Sequence, residues 1–174
     1  MPAMKNNPRL LIGLVMAIFA LISYYGSSSY NPVTGEKQHV SITPDQEIAL
    51  GLQAKPSLVQ EYGGIHPDSR LRQLVEHVGK RLLERSEAGK TDWNFEFTLL
   101  ADPQTINAFA LPGGQVFITY ALLSRLQTEG QLAGVLGHEI AHVIARHGAQ
   151  QMAKEDLTGG LLGAVSVASG SAGA

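Results

Sequence analysis

The stretch GVLGHEIAHVIARHGAQ, Gly134–Gln150, constrains the fold of this chain more than any other feature. Leu132, Val135, Leu136, Ile140, Val143 and Ile144 recur at helical spacing and gather on one side of a helix. A helix patterned this way must be buried against other elements. Yet Glu139 stands among the apolar positions, where an ionised carboxylate is costly unless it is paired or has a use. Thr128 precedes the run, and Thr128 with Gln131 matches a capping box, so the helix is expected from Glu129 past His147.

His138 and His142 lie four residues apart and therefore share one face, one turn apart. Two imidazoles at that spacing can reach a single metal ion. Glu139 lies about 100° round the helix from His138, within reach of a water on that ion. The neighbours of the histidines, Gln131, Gly134, Ala141 and Ala145, are mostly small and leave room for a metal and a peptide. The pattern H-E-x-x-H is the signature of zinc peptidases, with two histidine ligands and a glutamate general base. On an unbroken helix His147 lies about 180° from His138, so it is expected as a histidine that supports a ligand by hydrogen bonding, or as a structural histidine near the helix end, rather than as a ligand.

Upstream, Thr43, Pro44, Asp45, Gln46 and Glu47 read as a helix start, with the acidic residues at its positive end. A second helix follows Asp68 or Ser69, carrying Leu71, Leu74, Val75, Val78, Leu82 and Leu83 on one stripe; His77 lies off it and is expected in solvent. Trp93–Leu100 alternates and reads as a strand. Asn107–Leu111 and Val116–Thr119 read as extended pieces made antiparallel neighbours by the turn Pro112-Gly113-Gly114, with a helix from about Tyr120.

At the amino terminus, Lys5 and Arg9 precede the uncharged run Leu10–Gly26, which ends in Tyr24 and Tyr25. That run has the length of a signal-peptide core or a marginal membrane anchor, and the positive flank sends the rest of the chain outward. Residues 1–26 are therefore expected as a signal peptide or anchor helix and residues 27–41, rich in turn formers, as a linker. The net charge of −2 makes no case for nucleic acid. The chain has no cysteine, which removes thiolate ligands, a cysteine nucleophile and disulfides.

The stretches NAFALPGGQVFIT, Asn107–Thr119, and QLAGVLGHEIAHVIARHGAQ, Gln131–Gln150, together with TPDQEIALG, Thr43–Gly51, resemble the HtpX-like, CAAX-protease-type family of zinc endopeptidases, and more closely its bacterial periplasmic branch. The resemblance implies an α+β, mostly helical, zincin-like domain of gluzincin type, with an active-site helix and a small antiparallel sheet. It implies one Zn2+ per chain held by His138 and His142, and Glu139 acting on the zinc-bound water. It further implies that the edge strand Asn107, Ala108, Phe109, Ala110 pairs with an extended substrate. The family's third ligand is a glutamate in an E-x-x-x-D context downstream, which this sequence does not contain. Residues 42–156 are thus expected as the N-terminal part of the peptidase domain, incomplete at its C-terminus. Residues 157–174 are expected as a low-complexity apolar tail at a truncation point.

The expected function is hydrolysis of extended or misfolded proteins in the bacterial cell envelope, periplasmic or otherwise extracytoplasmic, by an anchored or secreted enzyme. Its partners are protein or peptide substrates and, through the N-terminal segment, the membrane. A non-catalytic peptide-binding module and a membrane-anchored scaffold are the alternatives.

Overall fold

The computed structural model describes residues 8–170; Lys5 of the positive flank and the last four residues of the tail lie outside the described residues. In chain order the elements are α1 (Pro8–Gly26), β1 (Ser28–Tyr30), β2 (Lys37–His39), α2 (Pro44–Glu61) and α3 (Ser69–Glu84). After a 3-10 turn at Glu87–Lys90 come β3 (Glu96–Leu100), β4 (Ala108–Leu111), β5 (Gln115–Thr119), α4 (Tyr120–Leu123), α5 (Glu129–Ile144) and α6 (His147–Ser169). The chain is mostly helical with small sheets, an α+β architecture. It divides into two compact units.

The larger unit comprises Pro32–Thr34 and Ile42–Gly148. Its sheet has the order β3-β5-β4. β4 and β5 pair antiparallel, from Ala108 opposite Ile118 to Leu111 opposite Gln115, across the expected Pro-Gly-Gly turn. β3 adds to the other side of β5 in parallel, Glu96 opposite Gln115 and Leu100 opposite Thr119, so the sheet is mixed rather than wholly antiparallel. The reason is topological: the chain reverses between β3 and β4 and again at the tight turn, so β5 runs in the direction of β3, which takes the edge of β5 that β4 leaves open. β5 is central and every one of its residues is buried, while β4 is left as an edge strand.

One face of this sheet carries α3 and α5. Val75 and Val78 of α3, Leu99 of β3, Val116 and Ile118 of β5, Leu123, and Leu132 and Leu136 of α5 form one buried cluster. The helices start where the sequence supplies side-chain acceptors. Asp68 Oδ1 accepts from the Arg70 amide at 2.8 Å. Thr43 and Gln46 make a complete capping box: the Gln46 amide donates to Thr43 Oγ1 at 3.3 Å and the Thr43 amide to Gln46 Oε1 at 2.8 Å. At α5 the box is only half made. The Gln131 amide donates to Thr128 Oγ1 at 3.2 Å, but Gln131 Oε1 takes its bond from the Gln127 amide at 2.6 Å.

The turn between β4 and β5 is pressed against α2. Gly113 has φ 86, and a Cβ there would lie 2.4 Å from Ile48 Cα. A Cβ on Gly51 would lie 2.1 Å from the Pro112 carbonyl oxygen. Only glycine allows the turn and the first half of α2 to approach this closely.

The expectation that the active-site helix runs past His147 is corrected. α5 ends at Ile144, Arg146 has φ 57, and a new helix begins at His147. Among the described residues Arg146 is the non-glycine residue in the left-handed region. That conformation ends a helix as glycine commonly does.

The smaller unit contains the described residues of Met1–Asn31, Gly35–Ser41 and Ala149–Ala174. The segment 27–41, expected as a linker, holds an antiparallel ladder between β1 and β2, with Ser28 opposite His39 and Tyr30 opposite Lys37. The His39 ring stacks on Tyr24 at 4.4 Å between centroids. The tail from residue 157 is expected as a low-complexity apolar stretch. Through Ser169 it continues α6 and packs on α1. A Cβ on Gly13 would lie 2.6 Å from the Ala164 carbonyl oxygen, and one on Gly160 would lie 2.8 Å from Ala20 Cβ. Small residues on both helices thus let the backbones come close. The low complexity of the tail is the composition of a tight helix–helix contact. α1 is long and apolar enough to cross a membrane, a test that a signal sequence also passes, and its large side chains face outward, Phe19 being 73% exposed.

Candidate active site

The site is built on α5. The Val143 and Leu136 side of this helix is buried, while His138 is exposed and His142 half-buried on the opposite side. The helical repeat brings the two imidazoles together as their spacing requires: Nε2 of His138 and Nε2 of His142 are 3.1 Å apart, with the rings nearly perpendicular at 83°. Two nitrogens bound to one tetrahedral zinc at about 2.0–2.1 Å stand roughly 3.3 Å from each other, so this donor pair fits zinc without rearrangement of the helix. Among the described residues no third His, Asp or Glu joins them in a metal-holding group.

Glu139 is buried at 8% exposure. Burial raises its pKa above the ordinary carboxylate value, and the neighbouring His142 and His138 act in the opposite direction. A carboxylate desolvated in this way is a stronger proton acceptor than one in water.

His147 occupies a place that an unbroken helix would have denied it. The turn at Arg146 brings its Nδ1 to 2.7 Å from Nδ1 of His142, on the side of that ring away from His138. The three rings form a row, 138–142–147, with centroid separations of 4.6 and 4.8 Å.

A cavity of about 170 Å³ adjoins the helix, lined by Glu47, Phe109–Pro112, Glu139, His142 and Arg146–Gly148 together with Val143. Of the expected substrate-binding residues, Phe109 and Ala110 line it and Asn107 and Ala108 do not. Asn107 precedes β4, and its amide and carbonyl are tied to Thr119: the Asn107 amide donates to Thr119 Oγ1 at 3.2 Å and the Thr119 amide to the Asn107 carbonyl at 3.0 Å. Ala108 packs against the core. Phe109 stacks on Phe117 and contacts Tyr62, with centroids 5.0 and 5.3 Å away.

Two residues of this region escape a reading of the sequence by local pattern. Glu47, assigned by position to the positive end of α2, is 1% exposed and forms an ion pair with Arg146 at 2.6 Å. Burial raises its pKa, while the hydrogen bond and charge of Arg146 oppose the rise. The available signal was the i, i+4 relation of Glu47 to Gly51, which places the carboxylate on the same buried face as the glycine.

Residues 39–172 match the sequence profile of a family described as Peptidase family M48. The chain is 34% identical over 137 residues to the mitochondrial metalloendopeptidase OMA1 of Schizosaccharomyces pombe, an alignment covering 76% of this chain and 39% of that protein. It is 33% identical over 144 residues to the beta-barrel assembly-enhancing protease of Escherichia coli (strain K12), covering 81% of this chain and 27% of that one. The chain therefore spans well under half the length of these relatives.

Proposed function

We propose that this chain, which belongs to peptidase family M48, carries the metal-binding and proton-transfer helix of a zinc-dependent endopeptidase of the bacterial cell envelope. Within the family we place it with the HtpX-like, periplasmic type. The observation that carries the reading is the convergence of the two Nε2 atoms at 3.1 Å beside a buried Glu139 on the same helix.

His138 and His142 would hold the zinc. When bound, the ion supplies a Lewis acid and makes water acidic enough to be activated near neutral pH. Glu139 takes the proton of the attacking water and delivers it to the leaving amine. Its burial favours this role, because a raised pKa brings it closer to the working pH. β4 is an edge strand lining the same cavity as Glu139 and His142, which supports its use as a template for an extended peptide, with Phe109 and Ala110 nearest the chemistry. Backbone pairing favours extended or misfolded proteins over a fixed sequence. The name of one relative, the beta-barrel assembly-enhancing protease of Escherichia coli, ties that protein to beta-barrel assembly and is consistent with envelope substrates for this chain. α1 serves as the anchor or export signal.

The test is zinc content and casein cleavage by the full-length protein beside its His138→Ala variant. One zinc per chain, lost together with cleavage in the variant, supports the reading. Equal zinc binding by both proteins, or no binding by either, would replace it with a peptide-binding module.

A further inference from the structure

We propose that Glu47 and Arg146 are positioning residues: their buried ion pair holds the left-handed turn that folds His147 back onto Nδ1 of His142 and so sets the ring that binds the metal. The proposal rests on the metallopeptidase reading above.

The argument begins with backbone geometry. After Ile144 the chain tightens, with the Ala145 amide donating to the Ala141 carbonyl at 2.9 Å and the Arg146 amide to Val143 at 2.9 Å. Arg146 then takes φ 57. A residue with a Cβ resists this conformation, which is ordinarily left to glycine or asparagine. Arginine persists there because its side chain is held from outside the helix. Nε donates to Glu47 Oε1 at 2.7 Å, and Nη2 donates to the Ile42 carbonyl at 2.7 Å. The guanidinium also stands 6.0 Å from the centre of the Trp93 ring. These partners lie 99 and 104 residues away in sequence for Glu47 and Ile42. Glu47 is in turn held at the start of α2 by the completed capping box and by the contact of α2 with the Pro-Gly-Gly turn.

The consequence falls one residue later. His147 stands against the far nitrogen of His142 instead of on the opposite side of a continued helix. A proton on Nδ1 of His142, donated to Nδ1 of His147, leaves the His142 Nε2 lone pair directed toward His138, which is the tautomer a metal ligand needs. A buried ion pair is weak support for stability by itself, because desolvation of both charges offsets their attraction. This one fixes a conformation next to the site.

The experiment measures the side-chain nitrogen shifts of His142 by NMR in the metal-free, full-length protein, and zinc affinity by competition with a chelating dye. The variants are Glu47→Gln, Arg146→Lys and the double variant Glu47→Gln/Arg146→Gly, in which glycine adopts the turn without the ion pair. Glu47→Gln and Arg146→Lys should each mix the His142 tautomers and weaken zinc about tenfold or more, as loss of an outer partner does at metal sites. The double variant should recover much of both. Should Glu47→Gln fail to fold, Arg146→Lys and the double variant decide. A folded single variant with unchanged His142 shifts overturns the proposal. Equal loss of tautomer order in the double variant overturns it as well. The nitrogen shifts are read without metal, so they test the positioning even if a His138→Ala control shows that zinc binding itself was misassigned.

Discussion

Nδ1 of His142 lies 2.7 Å from Nδ1 of His147, although the two residues are five positions apart and a continuous helix would separate their side chains. The contact exists because α5 stops at Ile144 and the chain reverses its local hand at Arg146. It ties the outer side of the His142 ring while the inner side faces His138.

Glu139→Gln should abolish most of the proposed peptidase activity and leave zinc content unchanged. An amide keeps the shape of the carboxylate but accepts no proton, and general-base contributions are typically about 10²–10⁴-fold. Initial rates of casein cleavage, beside metal analysis of the same samples, check this. Retained activity would move the base elsewhere.

Glu47 should leave a signature in the pH dependence of stability. Burial raises its pKa in the folded chain above 4.5. The folded state then holds a proton that the unfolded state has already released, so stability falls as pH rises across that interval. The contribution is fully present below the unfolded pKa and is lost as pH rises through the folded value. Urea unfolding of the wild type and Glu47→Gln over a pH series should show the wild type losing ground to the variant as pH rises above 4.5. A constant difference would mean that Arg146 cancels the burial effect.

Leu136→Ala should destabilise the larger unit by about 2–5 kcal/mol, the usual range for a leucine removed from a packed core. Leu136 is fully buried, in the cluster shared by α3, α5 and the sheet. Chemical denaturation followed by tryptophan fluorescence reports it through Trp93. A loss below 1 kcal/mol would show that the core refills the space.

Gly113→Ala should loosen the junction of the β4–β5 turn with α2. The new Cβ meets the Ile48 backbone at 2.4 Å, and φ 86 is strained for alanine. Because the same junction carries Glu47, faster amide exchange is expected at the start of α2 and at Arg146. Exchange unchanged at both places would separate the turn from the ion pair.

If α1 is the proposed membrane anchor, arginine in place of Leu14 and Ile18 should release the protein from membranes. Both residues are exposed on α1, the apolar helix long enough to span a bilayer, and a buried cation there is costly. Carbonate washing followed by immunoblotting of pellet and supernatant checks it. Equal retention would assign anchoring to another segment.

What the sequence determined by itself is what depends on residues within one or two turns. The histidine pair and its glutamate follow from the helical repeat, the caps at Thr43 and Asp68 from their side-chain acceptors, α3 from its apolar stripe, and the hairpin of β4 with β5 from the Pro-Gly-Gly turn. The capping box at Thr128 was only half realised, because Gln131 found a competing amide at Gln127, an outcome decided by side-chain choice within one turn. Tertiary structure decided the rest. The place of β3 in the sheet depends on which edge of β5 the hairpin leaves open. The helical packing of the tail depends on a small-residue face on α1, far away in sequence. The end of α5 carries no glycine or proline to announce it. Its left-handed residue is stabilised by a carboxylate 99 positions upstream, and local propensity contains no information about a partner at that distance.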